Sequence, residues 1–389
     1  MNEEIAYSVH IKTAIEEIPA EKWDALANPS PETYNPFITH AFLKSLEDAG
    51  CVGIDEGWAP VHLALCDQNE EALGYMPCYL KLHSQGEFVF DHGWANASEQ
   101  MGKRYYPKLQ AAVPFTPVVG PKLLVAEGPE KEQYQKLLVS GALQLLEQYE
   151  ASSLHMTFLN PSERKLLNDM GLLSRTDHQF HWQNNQYNTF DDFLETLSSR
   201  KRKGVRKERR EAVSNNIDIK WVTGDEITED HWDAFFQFYI DTSMGKWGRV
   251  YLNREFFSLI GERLADDILL ILCEREGRTI AGALNLIGGD CLYGRYWGAI
   301  EHHKFLHFET CYYQAIDFAI EKGLKRVEAG AQGQHKLARG YMPATTYSAH
   351  YIADPRLRQA IAYHLEGERE YVDKEGAVLS SMAPYAKDK

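Results

Sequence analysis

The sequence lacks a long apolar stretch. None of its 389 residues falls in an uninterrupted apolar run that approaches the roughly 18 residues of a membrane-spanning helix, so we predict no membrane span. Its opening residues, MNEEIAYSVHIK, carry acids where a secretory signal has positive charge, and no apolar segment follows them. These two absences predict a cytoplasmic protein.

Closely spaced cysteines are also absent. Disulfide frameworks and zinc sites usually show short, repeated cysteine spacings. The histidines at 302, 303 and 307 do not predict a metal site in place of cysteines. Adjacent histidines cannot easily share one face, and no nearby thiol or carboxylate cluster completes a site. We therefore expect reduced thiols and no metal. The six cysteines are Cys51, Cys66, Cys78, Cys273, Cys291 and Cys311.

An excess of positive charge is missing as well. There are 41 Lys and Arg residues against 56 Asp and Glu, a net charge of −15, which argues against general coating of nucleic acid. One run departs from this balance. Residues 200–210, RKRKGVRKERR, carry Glu208 as their one acid. Either this is a solvated helix face, or it binds an anion such as tRNA, a substrate phosphate or coenzyme A. No aromatic residue interrupts the run, so it does not predict stacking on bases.

Two domains are predicted from the length and from a repeated pattern. The order meander, helix, strand, strand occurs over about 61–183 and again over about 268–353. The polar segment QNNQYN separates the two halves. We place a first domain at 1–187 and a second at 188–389, which opens with a basic helical insertion over about 189–264. In the first half the meander is predicted as strands at 61–66, 72–82 and 87–94, with Asp91, His92 and Trp94 ending the third strand.

The best-defined single unit covers residues 292–343. It reads as a strand at 292–299, a helix at 307–322 ended by Gly323, and a strand at 326–331. Strand, crossover helix and strand make neighbouring parallel strands, whose carboxyl ends form sites. Glu328, Gln332 and His335 lie at or just beyond that end.

Several segments together resemble the FemAB-like branch of the GNAT acyltransferase superfamily. More closely, the chain resembles a bacterial family of N-acyltransferases labelled peptidoglycan biosynthesis/recognition. The resemblance rests on GEFVFDHGWANA (86–97), YYPKL (105–109), PFTPVVGPKLL (114–124), SSRKRKGVRKERR (198–210) and the block at 293–343.

The resemblance implies an α/β (α+β) fold of tandem GNAT-like domains, each a mixed, mainly antiparallel sheet flanked by helices. It implies transfer of an acyl group from acyl-CoA to the amine of a small-molecule or peptide-like acceptor. Two alternatives stay open: an aminoacyl-tRNA-dependent ligase of the FemAB type, and a non-catalytic binding protein for cell-wall precursors. Nothing in the sequence indicates the oligomeric state.

The resemblance also directs attention to the start of the long helix. GNAT enzymes commonly bind the coenzyme A pyrophosphate on a glycine-rich turn there, where backbone N–H groups meet the helix N-terminus. This chain departs from that pattern, because GAIEHHKFLHF between Trp297 and Glu309 holds a single glycine, Gly298. Positive charge for a phosphate would come instead from His303 and Lys304.

Acyl transfer to an amine needs a base, a donor that stabilises the oxyanion, and two substrates held in contact. Glu328 is a candidate base, or a structural carboxylate paired with Arg326. His335 is a second candidate base, or a loop hydrogen-bonding residue. Arg339 and Tyr341 would bind an anionic group and stabilise the oxyanion, respectively.

The remaining candidates are binding residues. Arg295 on an aromatic strand needs a partner if buried, either a structural carboxylate or a bound anion, and we group it with Tyr296 as substrate-binding. In the basic run we assign Arg202, Lys203 and Arg206 to an anionic part of a substrate.

Overall fold

The computed structural model describes residues 7–247, 249–330 and 333–386, so the predicted site residue Gln332 lies outside the described residues. The strands are β1 Ser8–Lys12, β2 Trp58–Pro60, β3 His62–Cys66, β4 Ala72–Met76, β5 Tyr79–Lys81, β6 Lys108–Ala111, β7 Leu124–Val125, β8 Ser153–Leu159, β9 Leu173–Gln183, β10 Ile217–Thr223, β11 Ile268–Arg275, β12 Arg278–Ile287, β13 Cys291–Ala299, β14 Arg326–Glu328 and β15 Met342–Ile352.

The helices lie between and after these strands. They are α1 Ala20–Ala27, α2 His40–Asp48, α3 His92–Gln100, α4 Lys131–Gln148, α5 Pro161–Asp169, α6 Phe190–Thr196, α7 Ser199–Ala212, α8 Glu229–Trp247, α9 Arg254–Arg263, α10 Leu306–Phe308, α11 Gln314–Glu321 and α12 Pro355–Ser381. A π-helical turn, Glu309–Tyr313, joins α10 to α11. None of the described helices combines the length and the apolarity needed to cross a bilayer.

Two compact units interleave along the chain. The first unit comprises Met1–Pro29, Phe37–Asp177 and Thr346–Val372. The second comprises Ser30–Pro36, His178–Thr345 and Asp373–Lys389. The sequence analysis placed a single boundary at 187/188, whereas the units exchange segments near both ends of the chain. Which distant segments pack into one unit is decided by tertiary contacts, and that information is not local in the sequence.

The first unit is built from two groups of strands. In one, β1, β3, β4 and β7 are neighbours in that order, all antiparallel. In the other, β2, β5, β6 and β8 are neighbours, and β6 runs parallel to β8. Helix α4 supplies an apolar stripe to the core because its buried residues recur at helical spacing. These residues are Leu138, Val139, Ala142, Leu145 and Leu146.

Two strand predictions in the first unit are corrected by the structure. The predicted strand at 72–82 is two strands, because Pro77 between β4 and β5 has no N–H to give to a ladder. The predicted strand at 87–94 is wrong. Phe88 has a left-handed φ of 59°, and helix α3 begins at His92, so the apparent alternation belongs to a loop. Trp94 is therefore a helical residue.

The second unit contains a meander and a parallel crossover, as predicted. Strands β10 to β13 are antiparallel neighbours, β13 runs parallel to β14, and β14 is antiparallel to the end of β9. Gly323 ends the crossover helix with φ of 68°. Strand β10 was not predicted, although Ile217, Ile219 and Trp221 alternate with polar residues there.

Candidate functional site

The parallel strands β13 and β14 pair over three residues only. Cys291 to Tyr293 pair with Arg326 to Glu328, after which β14 ends while β13 continues to Ala299. The ladder of β13 with β12 shifts register between Leu284 and Asn285, which pair with Tyr296 and Gly294. Arg295 is thus the extra residue of a β-bulge. Bulges re-aim a side chain and are frequent beside sites.

Glu328 lies where the two strands part, and it is buried. Its carboxylate is 3.6 Å from Arg295 Nη2, 3.5 Å from Arg326 Nε and 4.0 Å from His181 Nε2. We call these four residues the Glu328 cluster. No donor among the described residues hydrogen-bonds Glu328 Oε2. Burial lowers the pKa of His181, against the opposing effect of the carboxylate. Both predicted roles of Glu328, structural ion-pair partner and candidate base, are compatible with this cluster. The carboxylate is paired with cations, and its Oε2 can still accept a hydrogen bond.

His335 lies in a short 3₁₀ turn after β14 and is exposed. Its Nε2 is 3.0 Å from the hydroxyl of Tyr312 on the π-helical turn. Burial raises the pKa of Tyr312, so the phenol stays protonated, and which group donates in this hydrogen bond is set by the ring nitrogen of His335 that carries the proton. An exposed imidazole that is oriented by a hydrogen bond is a chemically competent base. The sequence analysis did not find Tyr312, since it reads only as a residue of the apolar helix stripe.

Arg339 and Tyr341 are held by the protein itself. Arg339 Nη2 donates to Glu208 Oε2 at 2.8 Å, its Nη1 donates to the His335 carbonyl at 2.6 Å, and its guanidinium lies 3.4 Å from the centre of the Phe308 ring. Tyr341 is fully buried and donates its hydroxyl to the Tyr312 carbonyl at 3.1 Å. These contacts favour positioning of the His335 turn over direct contact with substrate.

Helix α7 is anchored on one side and exposed on the other. On the inner side, Arg209 Nη2 contacts Glu309 at 3.0 Å and Asp317 at 2.5 Å, which joins α7 to the crossover helix. Burial raises the pKa of both carboxyls against the lowering effect of Arg209. Glu208, the one acid of the basic run, accepts from Tyr313 at 2.5 Å as well as from Arg339.

The outer side of α7 carries four basic residues at helical spacing, Arg202, Lys203, Arg206 and Arg210, which we call the α7 stripe. Arg206 pairs with Asp191 at 2.9 Å, and both side chains are more than half exposed. Within the described chain, the other three make no ion pair. The stripe ends at a pocket of about 680 Å³ lined by Arg206, Arg209, Arg210, Phe190, Leu194 and Ile219, among others.

His303 and Lys304, the residues predicted to supply positive charge in place of a glycine-rich turn, lie just before α10. Both are already paired with the chain's own carboxylates. His303 Nε2 is 2.8 Å from Glu301, and Lys304 Nζ donates to Glu211 at 2.9 Å. Positive charge at this helix start is therefore partly neutralised. Tyr296, the last predicted binding residue, is half-buried with its ring 5.1 Å from that of Tyr239.

A second polar cluster, in the first unit, was missed by the sequence analysis. Lys108 Nζ donates to Asp91 Oδ2 at 2.5 Å, to Glu87 Oε2 at 2.7 Å and to Ser84 Oγ at 2.9 Å, and all four residues are buried. We call this the Lys108 cluster. Its signal in the sequence was a lysine inside the short apolar segment YYPKLQAA.

Protonation in the Lys108 cluster follows from burial and from close charges. Burial alone would raise the pKa of Asp91, but the charge of Lys108, the nearby His155 and the hydrogen bonds from Lys108 and Ser84 together outweigh it and hold that pKa well below its usual value. Burial raises the pKa of Glu87 to about 7 and lowers the pKa of Lys81 to about 6. Burial also lowers the pKa of His155, 3.7 Å from Asp91, to about 3. The cluster is therefore centred on one charged pair, Lys108 and Asp91.

Comparison with known proteins agrees with this architecture. The family model FemAB-like, described as peptidoglycan biosynthesis/recognition, matches residues 14–387. No curated protein matches the chain by sequence. Among solved structures, FemX aligns with a TM-score of 0.56 at 12% identity, over 89% of this chain and 98% of FemX.

Two further structures share the fold. A conserved protein of unknown function from Bacteroides thetaiotaomicron aligns with a TM-score of 0.52 at 9% identity, over 88% of this chain and 99% of that one. L-PGS from Bacillus licheniformis aligns with a TM-score of 0.50 at 10% identity, over 85% and 97%. The predicted fold class, an α/β (α+β) fold of mixed, mainly antiparallel sheets flanked by helices, is confirmed. The chain belongs to the FemAB-like family of peptidoglycan biosynthesis/recognition proteins.

Proposed function

We propose that this protein is an N-acyltransferase of the FemAB type that moves an aminoacyl group from a tRNA to the amine of a peptide-like acceptor. The observation that carries the proposal is the α7 stripe. In a chain of net charge −15, exposed arginines and lysines concentrated on one helix repel one another unless an anion binds there. Three of the four stripe residues lack an ion-pair partner in the described chain, so their charges remain available.

Placement of the stripe also supports a role in holding the donor. Arg209 fastens α7 to Glu309 at the first residue of the π-helical turn, and Glu208 fastens α7 to Arg339 beside His335. An anion bound along the stripe is thus linked, through two short ion-pair connections, to the turn that holds the candidate base. π-Helical turns and bulges recur at functional sites because they place side chains outside the regular ladder.

In the proposed reaction the lone pair of the acceptor amine attacks the ester carbonyl carbon of the aminoacyl group. A C–N bond forms and the C–O bond to the tRNA ribose breaks. His335 takes the proton that the amine loses and delivers it to the ribose oxygen, which leaves as a hydroxyl group. Glu328 provides a buried carboxylate at the end of β14, suited to proton work beside the bulged Arg295.

We expect a triple variant, Arg202→Gln with Lys203→Gln and Arg206→Gln, to bind total tRNA roughly a hundredfold more weakly than the wild type. Each phosphate contact removed lowers the slope of log affinity against log salt by about 0.7–0.9, so the slope should fall by about 2–3. Fluorescence anisotropy with labelled tRNA at two salt concentrations measures both quantities.

The matched control neutralises three lysines elsewhere, Lys131→Gln, Lys136→Gln and Lys165→Gln, each paired with a carboxylate four residues away in the chain. This control should bind tRNA as the wild type does. An equal loss in both triple variants would contradict a specific role for the α7 stripe, and absence of tRNA binding in the wild type would contradict the tRNA donor.

We expect Glu328→Gln and His335→Ala each to lower turnover by roughly a hundredfold, within the usual contribution of general acid–base catalysis, while leaving tRNA binding unchanged. Loss of radiolabelled aminoacyl groups from total aminoacyl-tRNA, with peptidoglycan precursors as acceptors, reports the reaction. Glu321→Gln, at the exposed end of α11, is the control. Full turnover in both site variants would remove these residues from the mechanism.

Acyl-CoA as the donor is the second candidate, and one observation favours it. β13 pairs with β12 on one side as far as Ala299, but because β14 ends at Glu328, no described strand pairs with its other side from Gly294 to Ala299. Such an open edge can pair with an extended ligand. Calorimetric titration with coenzyme A and acetyl-CoA separates the donors. Binding that weakens in His303→Ala and Lys304→Ala would favour acyl-CoA. Binding of cell-wall precursors without turnover would favour the non-catalytic alternative.

A further inference from the structure

Three side chains with different donor atoms converge at one edge of the first unit. His10 lies on β1, Cys66 ends β3, and Glu70 lies in the turn that leads to β4. One ligand atom of each, the imidazole nitrogen, the thiol sulfur and a carboxylate oxygen, lies within 4.8 Å of the other two. These residues are far from the α7 stripe in sequence, and none of them takes part in the proposed transfer.

The local structure explains why they meet. Strands β1 and β3 are antiparallel with Ser8 opposite Cys66, so His10, two residues further along β1, projects from the same face as Ser8. The turn after Cys66 is held by Asp67, whose carboxylate accepts from the N–H groups of Asn69 and Glu71 at 2.8 and 2.9 Å. Glu70 takes a left-handed φ of 61° in that turn, and its carboxylate reaches His10 at 3.2 Å.

We propose that His10, Cys66 and Glu70 form a binding site for a thiophilic divalent cation of the zinc type, with water in the fourth position. Zinc takes thiolate, imidazole and carboxylate ligands in a tetrahedral arrangement. With metal–ligand distances of about 2.0–2.2 Å, two nitrogen and oxygen ligands of a tetrahedral site lie about 3.3 Å apart. The separation of 3.2 Å between His10 Nε2 and Glu70 Oε2 agrees with that value. This site differs from the sequence expectation of no metal.

Metal binding would replace one existing hydrogen bond and change the protonation state of one thiol. Ser8 Oγ lies 2.9 Å from the same His10 nitrogen, and coordination replaces that hydrogen bond. Burial, with Glu70 nearby, raises the pKa of the Cys66 thiol above its usual value. Coordination requires the thiolate, so binding releases a proton and the affinity increases with pH. Lys12 and Lys22 act in the opposite direction on this thiol, and Asp67 in the same direction as Glu70.

The consequence would be a clamp on an edge strand. β1 is the first strand of its four-stranded sheet and pairs only with β3 in the sheet order of the described strands. A cation held by His10, Cys66 and Glu70 would tie this edge to the β3–β4 turn. Because it binds the folded chain, it stabilises the first unit by an amount that increases with the logarithm of the cation concentration once that exceeds the dissociation constant.

Titration of the reduced full chain with Co²⁺ tests the site, because thiolate–cobalt charge transfer absorbs in the near ultraviolet and tetrahedral cobalt absorbs strongly in the visible range. We expect one equivalent to bind, with displacement by Zn²⁺. Cys66→Ala should abolish the charge-transfer band, and His10→Ala and Glu70→Gln should each weaken binding tenfold or more. Affinity should also increase between pH 6.5 and 8.

Two controls keep the test specific. Cys311→Ala removes a partly exposed thiol in the second unit, and His92→Ala removes an exposed imidazole at the start of α3, so both should bind cobalt as the wild type does. The proposal is overturned if no band develops in the wild type, if the band persists in Cys66→Ala, or if Glu70→Gln and His10→Ala bind unchanged. His10→Ala and Glu70→Gln test the site independently, so the proposal can be decided even if Cys66→Ala folds poorly.

Discussion

Replacing Lys108 with methionine is expected to lower the free energy of unfolding by about 3–5 kcal/mol. The lysine is fully buried, and its ammonium donates to Asp91, Glu87 and Ser84. Methionine fills a similar volume, so little of the loss comes from a cavity. The loss comes from the Asp91 carboxylate, which would stay buried without its cation, and a buried unpaired charge is among the largest single-residue penalties.

Urea denaturation followed by tryptophan fluorescence measures this loss. Lys136→Met, which removes an exposed lysine paired with Glu132, should change the free energy of unfolding by less than about 0.5 kcal/mol. The triple variant Lys108→Met, Glu87→Gln and Asp91→Asn removes the stranded charge and should recover part of the loss. If Lys108→Met is as stable as the wild type, the cluster is not the buried ionic centre described above.

Replacing Gly298 with valine is expected to destabilise the second unit by about 3 kcal/mol or more. A Cβ at this position would lie 2.1 Å from the carbonyl oxygen of Phe238 and 2.6 Å from its Cβ, so helix α8 packs directly on the bare backbone of β13. The obstacle is a backbone carbonyl within a long helix, which cannot rotate away as a flexible side chain would. Valine otherwise favours β-strands, so any loss of stability comes from the steric contact and not from strand propensity.

A graded series separates the contact from general glycine effects. Gly298→Ala should lose less than Gly298→Val, because alanine adds the Cβ without the two methyl groups. Gly367→Ala is the control: Gly367 is exposed within α12 with nothing within 4 Å of an added Cβ, so it should gain up to about 1 kcal/mol. Circular dichroism during thermal unfolding measures all three. Equal stability of Gly298→Val and the wild type would mean that α8 does not pack against β13 as described.

The elements around the candidate site were largely predictable, because their signals are local. The predicted strand at 292–299 lies within one residue of the observed bounds of β13, and Gly323 marked the end of the crossover helix through its left-handed conformation. The parallel pairing of β13 with β14 followed from the strand, helix, strand order. The π-helical turn and the bulge at Arg295 were not predicted, since each inserts one residue without changing the apolar pattern.

The interaction partners of the candidate residues could not be predicted from the sequence. Glu208 reads in the sequence as one acid in a basic run, yet it accepts from Arg339, 131 residues away. Arg339 and Tyr341 were predicted as substrate-binding and catalytic residues from their position near a strand end, and the structure shows both in internal contacts. The functional roles of Glu328 and His335 stay predictions until turnover is measured.

By itself, then, the sequence determined the periodic elements, their crossover order, the concentration of basic charge on α7 and the family resemblance. Each of these depends on residues close together in the chain, or on a pattern repeated along it. The tertiary structure alone decided which charges are paired, which are buried, and which donor atoms converge. His10, Cys66 and Glu70, and likewise Lys108 and Asp91, come together only when strands and turns pack, because the energy of an ion pair or a metal site depends on distances of a few ångströms that chain spacing does not specify.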